Sequence, residues 1–137
     1  MLRRILLALD DSEESARPLG VACELAQGSG ASVLVLHVRD RKVACCGEPW
    51  ETPMDCTPDQ LVARSLDQLR SAGVDAQAQI VPGAGRAAYA ILDVAADQGA
   101  DLVVAGWRPR RTFGGLLEKS TGQKLTDAAK RPVLLVP

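Results

Sequence analysis

Five short apolar runs limit what this chain can fold into. They occupy residues 5–9, 32–38, 74–82, 101–106 and 132–137. Each is rich in Val, Ile or Leu and is bounded by polar or turn-forming residues, the pattern of a strand buried in a parallel sheet. The run over 74–82 alternates more than the others, as an edge strand does. Between the runs, apolar residues recur at helical spacing. The first such segment spans about 13–27, with Ser12 as N-cap, Glu13 and Glu14 favouring the dipole of the first turn, and Ala16, Leu19, Gly20, Cys23 and Ala26 facing inward. Gly28 and Gly30 end it. The second starts at Thr57 or Asp59, runs to about Ala72 and is ended by Gly73. The third spans 83–97, with Ala87, Ile91, Val94 and Ala95 inward and Gly99 closing it. Ser120 and Thr121 are cap candidates for the fourth.

Strands alternating with helices imply a three-layer α/β/α domain with a five-stranded, mainly parallel sheet. In the strand order 3-2-1-4-5 the direction of winding reverses between strands 1 and 4. Ligands of such sheets bind beyond the strand C-termini at that reversal. Asp10 and Gly106 then stand on two sides of one crevice. The stretch after Gly106 carries Arg108, Arg110 and Arg111. A strand, a glycine, a basic loop and a helix N-terminus together can form an anion site.

Composition excludes several other classes. The 137 residues fit one domain over 1–137, and a 47% hydrophobic content suits a packed core. The net charge of −1 gives no general attraction to nucleic acid or membrane, and Tyr89 and Phe113 make no stacking platform. No run approaches the ~18 apolar residues of a membrane span. The expected location is the cytoplasm, with reduced thiols. Cys45, Cys46 and Cys56 share the long segment 39–58 but lack the paired spacing of a zinc site, and Cys23 reads as core. His37 is the single histidine and is read as structural. With no Gly-x-Ser-x-Gly motif, no nucleophile-base-acid set can be assembled, so an enzyme is not expected. Gly83-Ala84-Gly85-Arg86-Ala87-Ala88 has the form of a dinucleotide fingerprint. The next strand, however, ends in Ala105-Gly106 without the required acid.

Five segments in order resemble the universal stress protein family. They are residues 5–12 (ILLALDDS), Leu36-His37-Val38, Gly83, residues 101–106 (DLVVAG) and residues 131–136 (RPVLLV). The resemblance implies an adenine nucleotide alpha hydrolase-like fold and a homodimer through strand 132–136. One branch of the family binds ATP with a Gly-x-x-Gly, nine-residue gap, Gly-Ser/Thr pattern after strand 4. Laid on this chain, that pattern places Gly106 first, Pro109 second, Lys119 third and Ser120 last, so two of its three glycines are replaced. By the same resemblance, Asp10, Val38, Gly106, Arg108, Lys119, Ser120 and Thr121 are the candidate nucleotide-binding residues.

Pro109 has no N–H for a phosphate and a fixed φ. Lys119 carries a Cβ, which crowds backbone approach and costs roughly 1 kcal/mol or more wherever φ must be positive. Against this, Arg108, Arg110, Arg111 and Lys119 can meet phosphate through side chains. The favoured reading is a stress-response regulatory or interaction module, with a protein partner not identified by the sequence, that does not hold ATP in the family manner. The alternative is an ATP-responsive switch with a modified phosphate loop.

Overall fold

The computed structural model describes residues 2–9, 16–39, 58–82, 86–106, 110–111, 117–118 and 121–137. Its elements are β1 (Arg4–Leu9), α1 (Ala16–Ser29), β2 (Ser32–Arg39), α2 (Pro58–Ser71), β3 (Ala76–Pro82), α3 (Ala87–Asp97), β4 (Leu102–Gly106), β5 (Arg110–Arg111), β6 (Leu117–Glu118), α4 (Thr121–Ala128) and β7 (Val133–Val136). The main sheet has the order β3-β2-β1-β4-β7. All four pairings are parallel. Since β5 and β6 form a separate ladder, this is the expected order 3-2-1-4-5.

The central strands are apolar on both faces because both faces are covered. Ile5, Leu7, Leu9, Val33, Val35 and Val104 pack with Leu19, Ala22 and Ala26 of α1 and Leu69 of α2. Leu6, Ala8, Leu34, Leu36, Val103 and Ala105 point the other way, against Ala88, Ile91 and Ala95 of α3 and Leu125 of α4. Two strand faces and two helix pairs make the three layers. Glycines stop α1, α2 and α3: Gly30, Gly73 and Gly99 have φ of +73°, +80° and +64°. An L side chain there would be strained, which is why the chain can turn back at these points.

The structure corrects several expectations in detail. On α1, Pro18 and Ala22 are buried with Leu19 and Ala26, whereas Ala16 is exposed and Gly20 and Cys23 are half-buried. Proline fits because it sits in the first helical turn, where its missing N–H would have no intrahelical partner. Gly28 lies inside α1 rather than ending it. On α3, Ala88 is buried, while Ala87 and Val94 are half-buried. The segment read as a plain basic loop contains an antiparallel ladder, with Arg110 opposite Glu118 and Arg111 opposite Leu117. Such a pair closes backbone hydrogen bonds that periodicity over so few residues cannot reveal.

Candidate functional site

The expected crevice lies at the C-terminal ends of β2, β1 and β4. Leu9 stands opposite His37, and Ala8 opposite Ala105. By that register Gly106 is level with Leu9, and Val38 lies one residue further along. Strands stand about 4.8 Å apart, so Val38 and Gly106 lie roughly 10 Å from each other across β1. That spacing is the scale of a nucleoside-sized group. Val38 is half-buried and packs on the α3 and α4 side of the sheet.

Gly106 needs glycine for neither conformation nor internal packing, among the described residues. Its φ is not positive. A Cβ built there meets Pro18 Cγ at 3.5 Å, an ordinary contact. Thr121 opens α4, on the face held by Leu125. Of the seven candidates, the structure thus brings Val38 and Gly106 to one end of the sheet and sets Thr121 at a helix N-terminus. Asp10, Arg108, Lys119 and Ser120 lie outside the described residues, as does Pro109.

His37 is 1% exposed, on the opposite sheet face from Val38, within the layer covered by α1 and α2. Among the described residues, no cluster of three His, Cys, Asp or Glu side chains could hold a metal ion. Cys45, Cys46 and Cys56 are outside the described residues. No described helix is long and apolar enough to cross a membrane.

The polar chemistry that the sequence reading passed over lies at the opposite end of the sheet. Asp101 Oδ2 accepts the backbone N–H groups of Arg3 at 2.8 Å and Arg4 at 3.1 Å. These two bonds, the one from Arg3 foremost, hold the Asp101 carboxyl below its ordinary pKa. Arg131 Nη1 donates to the carbonyls of Ala95 and Ala100, both at 2.8 Å. Arg4 Nη1 donates to Gln98 O at 2.7 Å, and Arg70 Nη2 to Ala76 O at 3.0 Å. Three of these carbonyls belong to the end of α3 or the turn after it, where partial negative charge collects. The end facing away from the crevice is therefore a structural clamp.

Comparison with known proteins agrees with the fold. The universal stress protein family matches residues 1–137. The universal stress protein in the QAH/OAS sulfhydrylase 3′ region of Thermus aquaticus is 35% identical over 145 residues, covering 99% of each chain. Among solved structures, a universal stress protein in complex with cAMP superposes with a TM-score of 0.74 at 23% identity, covering 98% of this chain and 96% of that one. The universal stress protein from Archaeoglobus fulgidus in complex with dAMP gives 0.73 at 22% identity, covering 100% of both. With the five-stranded order in place and the family matched from end to end, this chain belongs to the universal stress protein family.

Proposed function

We propose that this chain is a stress-response regulatory module of the cytoplasm that works by binding a protein partner and does not hold ATP in the family manner. The observation that carries the reading is the replacement of two motif glycines by Pro109 and Lys119. A triphosphate needs several convergent donors, and backbone N–H groups in a glycine loop supply them at close range. Proline removes one donor outright. In the family's pattern, a Cβ at position 119 would crowd the close approach of phosphate. The reading is of a binding module rather than an enzyme. His37, the single histidine, is enclosed in the core and is not offered to the crevice.

The module is proposed to be a homodimer through residues 132–136. Supporting this, β7 is a sheet edge paired only with β4 among the described residues, and Leu134 is 37% exposed on it. An apolar edge left open is an association surface.

One observation favours a second reading, an adenine nucleotide switch. Gly106 requires glycine for nothing inside the described chain, which suits close approach of a ligand at the crevice. The cAMP and dAMP complexes of structural neighbours fit that reading. Asp10, Val38, Gly106, Arg108, Lys119, Ser120 and Thr121 would line the site.

Restoring the motif separates the two. The double variant Pro109→Gly/Lys119→Gly and the parent are titrated with Mg-ATP by calorimetry. The proposal expects the variant to bind and the parent to show no heat. A parent that binds as tightly as the variant refutes the loop argument. A variant that stays silent shows that the missing glycines are not what blocks ATP.

A further inference from the structure

Among the described residues the sheet ends at two edges, β7 on one side and β3 on the other. The pattern of backbone groups along β3 is informative. Val33 N–H donates to Asp75 C=O at 2.9 Å, so the Asp75 backbone points toward β2. Backbone groups of alternate strand residues point to opposite sides. Gln77, Gln79 and Val81 therefore face β2 as Asp75 does, while Ala76, Ala78, Ile80 and Pro82 turn their backbone groups to the open edge. The bond from Arg70 Nη2 to Ala76 O fits that alternation, since it reaches the strand from outside the sheet.

The open edge thus presents the Ala76 N–H, both groups of Ala78 and Ile80, and the Pro82 carbonyl. The Ala76 carbonyl is already held by Arg70. Pro82 has no N–H. Edge strands are ordinarily guarded by charged side chains, proline, bulges or a covering segment, and here Pro82 stands at one end of the strand. Residues 76–82 contain no charged residue, and Gln77, Ala78 and Gln79 are exposed.

We propose that this edge pairs with the same edge of a second copy, antiparallel, with Gln79 meeting the partner's Gln79 on the two-fold axis. Ala78 then stands opposite the partner's Ile80, and each exchanges both backbone hydrogen bonds with the other. Ala76 stands opposite the partner's Pro82. The Ala76 N–H donates to that proline's carbonyl, and the N–H that proline lacks falls opposite the one carbonyl that Arg70 fills. No edge donor or acceptor is left over. Neighbouring registers do not close in this way. With the axis at Ala78, the partner's Ile80 N–H meets the carbonyl already bound by Arg70. With the axis at Ile80, the Ala78 carbonyl meets the partner's Pro82, which has nothing to donate. The occupant is therefore a second copy, because the two irregular positions of this strand complement each other in one register only. Side chains agree: Gln79 meets Gln79 amide to amide on one face, Ala78 meets Ile80 on the other, and no like charges oppose.

The test is a charge swap at the axis, read by native mass spectrometry and sedimentation of the full chain. Gln79→Lys and Gln79→Glu are each expected to lower the assembly mass by about half or more, because like charges meet across the pair. An equal mixture of the two variants is expected to regain the wild-type mass, since opposite charges then meet. Gln79 is exposed, so thermal unfolding of each variant checks that the fold is kept. A wild type that stays monomeric, single variants that keep the wild-type mass, or a mixture that fails to recover it would each overturn the proposal. The mass left in the single variants also separates this edge from β7: dimers remain where β7 pairs, monomers where it does not.

Discussion

Asp101 shows how one side chain can join two distant parts of the chain. It follows α3 in sequence, yet its carboxylate accepts the backbone N–H groups of Arg3 and Arg4, where β1 begins. Periodicity reports which residues are buried, not where an exposed carboxylate finds donors, so this link was not legible in the sequence. Because the folded pKa lies below the ordinary value, the contribution is complete above the unfolded aspartate pKa, about 3.9. It is lost as pH falls through the lowered folded value. Asp101→Asn is therefore expected to lower the thermal midpoint at pH 7, with the difference from wild type shrinking toward pH 3. Midpoints measured across that range check the sign, and a difference that grows in acid contradicts it. Arg131 is the cationic counterpart, with one nitrogen bound to two carbonyls. Arg131→Met keeps the stem and removes both charged bonds. It is expected to cost about 2 kcal/mol, or several degrees in the midpoint of thermal unfolding.

At the scale of elements, the strands and their order were legible because two-sided burial leaves uninterrupted apolar runs. Ile5, Leu6 and Leu7 are all fully buried, as are Val103 and Val104. The helix faces were read less well. On α1 the expected face held Leu19 and Ala26 but missed Pro18 and Ala22, since alanine and glycine give a weak apolar signal and packing sets the final rotation. Of the candidate positions, the placing of Gly106 at the end of β4 and of Val38 next to the end of β2 was legible because both strands are buried apolar runs. The ladder of β5 and β6 was not, being too short to show a period. Among the α4 residues whose side chains are described, Leu125 is the one buried, fully enclosed against α3 and the sheet. Leu125→Ala is expected to cost about 2–5 kcal/mol. Hydrogen exchange should rise more in α4 than in β1, because Leu125 packs the helix against α3 and the sheet. Equal loss of protection in both elements would mean α4 is not a separately anchored unit.

The whole molecule combines a family fold with the proposed departure from the family's phosphate pattern. The two ends of its sheet are built differently. One end gathers Gly106, Val38 and the start of α4, and the other is closed by Asp101, Arg4, Arg70 and Arg131 on backbone groups. The most direct measurement is the thermal midpoint of the full chain with and without millimolar Mg-ATP, with free phosphate as control. A ligand present at ~100 times its dissociation constant adds about 2.7 kcal/mol of stability. In a domain of this size that moves the midpoint by several degrees. The account expects no shift. A clear shift with Mg-ATP, absent with phosphate, would contradict it and make the basic loop a substitute for the missing glycines.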